Sequence, residues 1–370
     1  MAEKSFSTDS LAMEQRQAYQ GPKLRLAFIG CGGVLQFHMG ALQHFPDVEV
    51  VAGCDIDTNR LKAMEEKWGV KRHYTDWQTM LKEVRPDAVS VCTPNHVHVQ
   101  PTVDALNAGC HVIVEKPMAM NAAECERMLE AARKNNRKLV IGFQYRYHPN
   151  TQFLVRARND GHFGNVMFVK CLALRRRGIP NWGVFGRKEL QGGGPMIDIG
   201  VHCIEMAHYV MGSPRPVAAS GKTWTYLGNK ASDVVSQWPG WDYKTYTVED
   251  LAIGQVRFEN GALMQIEASF AAHVEKDQWG FSIVGDQGGG AWEPPALYGD
   301  RAGTMLNCTP AFVGSENDFH ALFRLKLRNF VDHLLHGKPT EAPGEAGLMV
   351  QKILDGVYRS AEEGKEVAIP

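Results

Sequence analysis

The chain has 370 residues, 44% of them hydrophobic and 22% charged, with a formal net charge of −1. That length suffices for two domains with sizeable cores, and the near-neutral balance excludes the electrostatic footprint of a nucleic-acid or anionic-membrane binder, leaving a small molecule as the expected partner. No run approaches the ~20 apolar residues of a membrane span, and eight cysteines scattered singly, with no C-x-x-C pair, read as buried thiols in a reducing cytoplasm.

Residues 1–22 are polar and lack the apolar segment of a signal peptide, so they read as a partly disordered tail. A cofactor-binding domain is expected over 23–150. Strand 24–29 feeds directly into Gly30-Cys31-Gly32-Gly33-Val34-Leu35 and a helical pattern through Leu42. Gly30 permits a sharp turn, Gly32 lets the backbone approach a pyrophosphate, and the helix start at Gly33 and Val34 offers unpaired N–H groups. Leu35 stands where G-x-G-x-x-G has its third glycine, so the packing of helix on strand must be met differently. A second strand, 48–54, leads to Asp55, 25 residues after Gly30. A carboxylate there can accept both ribose hydroxyls and repel a 2′-phosphate, which favours NAD over NADP. Helix capping by Asp55 or Asp57 is the structural alternative. Arg60 keeps NADP use open, because a guanidinium can pair a phosphate.

Helices over 58–67, 76–84, 97–108 and 122–135 then alternate with strands over 88–92, 111–114 and 139–143. Apolar strands spaced by amphipathic helices predict a parallel sheet covered on both faces, with ligands beyond the carboxyl ends of its strands. Those ends carry Thr93-Pro94-Asn95-His96-Val97-His98, Glu115-Lys116-Pro117 and Gln144-Tyr145-Arg146-Tyr147. Thr93, Pro94, Asn95, His98, Glu115, Lys116 and Gln144 are therefore candidates for the cofactor edge, and Lys116, Arg146 and Tyr147 for substrate oxygens. A metal site at His96 and His98 lacks a nearby third ligand, and no metal is expected.

After Gln152 the alternation stops. Strands over 165–174, 217–225, 247–258, 262–270 and 280–284, with turn signals such as Asn260-Gly261, predict a largely antiparallel or mixed sheet in a second domain over 151–370. A helix is predicted to start at Pro195, after Gly192-Gly193-Gly194, and to end near Gly212. Asp198, His202, Glu205 and Tyr209 share one stripe of it and apolar residues cover the rest. Asp198 suits the helix start and can orient His202 as an acid–base group, while Glu205 has no evident role. The loop over 175–187 is expected either to cover the cleft, with Trp182 and Phe185 able to stack on a sugar face or on nicotinamide, or to be a packed connector with solvated arginines. Two amphipathic helices, near 319–335 and 345–360, can pack back on the first domain.

The glycine turn, Thr93-Pro94-Asn95 with His98, Glu115-Lys116-Pro117, and Gly192-Gly193-Gly194 with Asp198 and His202 resemble the Gfo/Idh/MocA oxidoreductase family over nearly the whole chain. The resemblance implies an N-terminal Rossmann domain and a C-terminal α+β domain whose open sheet joins copies into a homodimer or homotetramer. It further implies NAD(P)-linked oxidation of sugars, inositols or related polyols, with Lys116, Asp198 and His202 as the catalytic set by motif position. Leu35 departs from the small residue usual in the family, and Glu205 from its frequent Asp. The expected reaction moves a hydride between a secondary alcohol of a sugar, glycoside or cyclic polyol and NAD, with Trp182 at the mouth of the substrate site. A redox-neutral cycle that retains NAD, oxidising a glycoside, eliminating its aglycone and reducing the product again, would use the same groups. A cofactor-binding regulator without activity is the third reading.

Overall fold

Short, mostly apolar runs of at most seven residues, too short to make helices, form the main strands of the first sheet in a computed structural model that describes Tyr19 and residues 21–370. The tail expected over 1–22 lies almost wholly outside the described residues. The strands are β1 (Leu24–Ile29), β2 (Val48–Cys54), β3 (His73–Tyr74), β4 (Ala88–Val91), β5 (His111–Val114) and β6 (Leu139–Ile141). All are parallel, in the order β3-β2-β1-β4-β5-β6. Every residue of β4 and β6 is buried, as a sheet covered on both faces requires. β3, two residues long, was too short to show a pattern. The connecting helices are α1 (Gly33–Leu42), α2 (Thr58–Trp68), α3 (Trp77–Val84), α4 (Val99–Asn107) and α5 (Ala122–Lys134). Asp57, Asp76 and Asn121 cap α2, α3 and α5 by accepting backbone N–H bonds. The helix expected over 97–108 is a 3₁₀ turn, Asn95–Val97, followed by α4. Strand order reverses between β1 and β4, which opens a crevice at their carboxyl ends.

A further helix, α6 (Pro149–Asn159), leads into the second sheet; Pro149 at its first position and the His148 cap were its overlooked signals. The second sheet contains β7 (Val166–Leu174), β8 (Pro216–Trp224), β9 (Leu251–Phe258), β10 (Leu263–Ser269), β11 (Gln278–Gly285), β12 (Gly289–Ala291), β13 (Ala296–Arg301), β14 (Thr304–Cys308) and β15 (Val367–Ala368). Its order is β14-β13-β12-β11-β7-β10-β9-β8-β15, antiparallel throughout except between β7 and β10. In β9, Ala252, Gly254, Val256 and Phe258 are buried while Ile253, Gln255 and Arg257 are exposed. That alternation marks a sheet with one packed and one open face.

A short helix α7 (Lys188–Gln191) sits against the 3₁₀ turn Asn95–Val97, and the packed face meets a helix α8 (Val201–Val210) and the final helix α10 (Gly344–Glu363). Gly221 and Gly254 leave room for Val357 of α10, since a Cβ at either would crowd that side chain. Helix α9 (Phe319–His336) instead lies on α1, where the Phe37 ring meets Phe319 at 4.9 Å and Phe323 at 5.2 Å. The chain thus returns from the second sheet to brace the first.

Candidate active site

At the end of β1, Gly30 adopts φ +92°, and a Cβ there would lie 2.6 Å from the Cys92 carbonyl at the end of β4. Only glycine permits that approach. Gly32 precedes α1 without a side-chain cap, Gly33 has no neighbour that a Cβ would touch, and the first N–H groups of α1, at Gly33 and Val34, have no hydrogen-bond partner among the described residues. Leu35 is 1% exposed and packs into the core beneath α1, so its side chain is turned away from the turn. Asp55 accepts the Cys31 N–H at 2.7 Å and the Asp57 N–H at 2.9 Å, while Asp57 caps α2 through Asn59. Arg60 reaches Asp55 at 3.5 Å and Asp57 at 3.6 Å. A helix N-terminus open to phosphates, with a carboxylate beside it for ribose hydroxyls, fits a dinucleotide.

Several residues expected at the cofactor edge turn inward. His98 is buried, with Nδ1 2.8 Å from the Pro117 carbonyl oxygen and Nε2 2.8 Å from that of Thr93, so it ties two loops together. Glu115 faces the core, where Oε1 accepts from Lys326 Nζ at 2.5 Å and lies 2.7 Å from His38 Nε2. Gln144 is buried with Oε1 unpartnered among the described residues. Asn95 donates to the Gln191 carbonyl at 3.1 Å and His96 contacts that of Leu190 at 3.2 Å, which fixes the Thr93–Pro94 loop against the glycine triplet. Among the described residues no group of three or more His, Cys, Asp and Glu is placed to hold a metal ion.

The triplet's glycines answer to packing. Gly192 has φ +86°, and a methyl on Gly193 would overlap the Tyr358 hydroxyl and one on Gly194 the Glu249 carbonyl oxygen. Glu249 accepts the N–H groups of Gly194 (2.8 Å) and Met196 (3.2 Å) and the Tyr358 hydroxyl (2.7 Å). It thereby holds the turn that carries Asp198. This turn, Met196–Gly200, is a π-helix rather than the start of an α-helix. No hydrogen bond joins Asp198 to His202 among the described residues. Asp198 is engaged instead by Lys116, whose Nζ donates to the Asp198 carbonyl at 2.8 Å and to Oδ1 at 3.0 Å. The two sheets are joined at this point.

His202 lies beside that pair with Nδ1 buried and unpartnered. Burial, then the Lys116 charge, push its pKa well below the usual imidazole value, so the ring is neutral at pH 7. Tyr145 meets it edge-on at 5.0 Å between ring centroids, and Trp279 lies 5.7 Å from Tyr145 and 6.1 Å from His202. In the sequence Tyr145 stands between the more polar Gln144 and Arg146, so no local pattern marks it as a site residue. Arg175, just past β7, also acts on Asp198 and His202 through its charge. Its clustering with Arg176 and Arg177 was the only signal.

Arg146 corrects an expectation. It is buried, donating from Nε to Glu205 Oε2 at 2.7 Å and from Nη1 to the Glu341 carbonyl at 2.5 Å, with its guanidinium 4.7 Å from the Tyr209 ring. The pair accounts for Glu205, whose carboxyl burial pushes up to about 7 against the pull of Arg146. The Tyr147 hydroxyl likewise turns to Asn329 on α9, at 2.9 Å. Trp182 is 50% exposed and packs on Trp238 at 4.8 Å.

The profile described as oxidoreductase family, NAD-binding Rossmann fold, matches residues 24–143, and that of the family's C-terminal alpha/beta domain matches 159–369. The chain is 36% identical to the D-glucoside 3-dehydrogenase of Escherichia coli K12, over 96% of this chain and 100% of that protein. It is 27% identical to the myo-inositol 2-dehydrogenase of Thermotoga maritima, over 94% and 98%. A crystal structure of an oxidoreductase domain protein from Kribbella flavida superposes with a TM-score of 0.82 at 26% identity, covering 95% of this chain and 100% of that one. With both profiles matched in order over most of its length, the chain belongs to the Gfo/Idh/MocA family of NAD-dependent oxidoreductases.

Proposed function

We propose that the protein is a dehydrogenase that oxidises a secondary alcohol on a sugar or cyclic polyol ring held between Lys116 and His202. The observation that carries this reading is the Lys116–Asp198 bridge between the two sheets, set beside a buried neutral imidazole. Bound NAD supplies the hydride acceptor for this chemistry. His202, unprotonated at neutral pH, takes the hydroxyl proton. Lys116 donates a hydrogen bond to the same oxygen and stabilises its developing charge, while Asp198 fixes the amine in place. The names of the two curated relatives, one acting on a glucoside and one on an inositol, support a ring alcohol as substrate.

Residues 23–150 serve in this reading as the cofactor domain and 151–370 as the substrate domain, with the open face of the second sheet joining copies of the chain into a dimer or tetramer. The eight cysteines are free thiols, which supports a reducing, cytoplasmic setting. No helix of the described residues is long and apolar enough to cross a membrane.

The test is turnover of His202→Ala. One general base contributes roughly 10²–10⁴-fold, so activity should fall by that factor while NAD binding survives. Turnover equal to the parent's would refute the assignment. Absorbance at the NADH band decides the finer question, since steady growth marks a dehydrogenase and product without net NADH marks the redox-neutral cycle.

A further inference from the structure

Two loops that carry no regular structure converge outside the Lys116–His202 site. The first begins at Arg175, whose backbone N–H donates to the Ser269 carbonyl at 3.0 Å. Gly178 lets the arginine fold back, since a Cβ there would lie 2.6 Å from Arg175 Cδ, and Nη1 donates to the Gly178 carbonyl at 3.1 Å. Nε and Nη2 have no protein partner among the described residues. The second loop, 225–250, is anchored where Asp250 Oδ2 accepts the N–H groups of Tyr226, Leu227 and Gly228 at 2.7–2.9 Å. Asn181 stitches the loops together by donating to the Pro239 carbonyl at 2.8 Å.

The result is a continuous wall. The Arg175 guanidinium, which acts electrostatically on Asp198 and His202, lies 5.0 Å from the Trp238 ring. Trp182 meets Trp238 edge-on at 4.8 Å and 90°, and remains half exposed. Among the described residues the rings that meet His202 are those of Tyr145 and Trp279, so this wall is distinct from the surroundings of His202. Indole faces suit the C–H face of a pyranose, and the unpaired Arg175 donors suit its hydroxyls. A protein partner would not need the polar link back to the catalytic pair.

We propose that Arg175, Trp238 and Trp182 form a subsite for a second pyranose ring, so that the substrate is a glycoside of at least two sugars oxidised on the ring held by Lys116 and His202. This rests on the proposed function. The test measures NADH formation with methyl glucopyranosides and with glucose disaccharides of different linkage. At least one disaccharide should exceed methyl glucoside in kcat/KM by about tenfold, the size of one good aromatic contact. Trp238→Ala and, separately, the half-exposed Trp182→Ala should lower that ratio by a similar factor, with Trp238→Phe retaining most of it and NAD binding showing that each variant is folded. A ratio unmoved by both alanine variants, or methyl glucoside preferred to every disaccharide, overturns the subsite while leaving the dehydrogenase reading intact. NADH from no sugar at all overturns that reading and the subsite with it.

Discussion

Replacing Lys326 by Met removes a charge from a buried ion pair that ties α9 to the end of β5, while nearly preserving side-chain length. Lys326 is 1% exposed on α9, and its Nζ lies 2.5 Å from Glu115 Oε1. His38, kept neutral by burial, donates from Nε2 to the same carboxylate, and Ser90 Oγ lies 3.1 Å from Nδ1. Burial alone would raise the Glu115 pKa, but the Lys326 charge and the His38 hydrogen bond hold it well below the usual carboxylate range. In the parent, therefore, Glu115 contributes stability above its unfolded pKa, and this is lost as pH falls toward the depressed folded value.

Without Lys326 the sign reverses. The folded pKa rises, and the group costs stability as pH climbs from its unfolded value. Breaking a buried pair typically costs 3–5 kcal/mol. Protonating the stranded carboxyl offers an escape costing about 1.4 kcal/mol per pH unit over about 2.5 units at pH 7, or about 3.5 kcal/mol. The two figures agree, so Lys326→Met should lose about 3 kcal/mol at pH 7 and about 1 kcal/mol at pH 5. Urea unfolding followed by tryptophan fluorescence at both pH values measures the gap. The double variant Lys326→Met/Glu115→Gln should recover most of the loss at pH 7. A gap that is equal at the two pH values, or below about 1 kcal/mol at pH 7, would refute the reasoning.

Three other outcomes are expected. Because burial and the Lys116 charge both lower the His202 pKa, kcat/KM for alcohol oxidation should hold its plateau down to pH 6.5 and decline only below it; Lys116→Met should shift the His202 NMR titration upward, and an acid limb starting above pH 6.5 would contradict this. Gly194→Ala forces a methyl against the Glu249 carbonyl oxygen and should cost at least about 1–3 kcal/mol, with turnover falling further than NAD affinity; parent-like unfolding would show that the turn can yield. Asp55→Ala removes the acceptor for the Cys31 N–H and the charge that disfavours a 2′-phosphate. The KM for NAD should rise roughly tenfold to a hundredfold and the preference over NADP should shrink, which parallel assays with both cofactors would check.

The parallel first sheet, the open antiparallel second sheet and the glycine turn were legible because each is written in local pattern. An apolar run of three residues before Glu115, or a glycine that must adopt positive φ at Gly30, states its surroundings without reference to distant residues. Capping was less clear, since Asp55 and Asp57 both suit a helix start and only the hydrogen bonds show Asp57 in that place. Short strands such as β12 and β15 have too few residues to display a period.

Polar partnership was decided by tertiary structure alone. Arg146 meets Glu205 across 59 residues, Glu115 meets Lys326 across 211, and Gly194 meets Glu249 across 55. Hydrophobic period shows which face of an element is buried, but it does not show which charge waits on the other side. The glycine triplet was legible as a helix entrance, yet the π-helical turn after it is held by Glu249, and Asp198 bonds Lys116 rather than His202. Local pattern determined most of the longer strands and their buried faces, because burial periodicity is local; the pairing of charges came from the packing of segments far apart in the chain, because a buried charge must find its partner wherever the fold brings one.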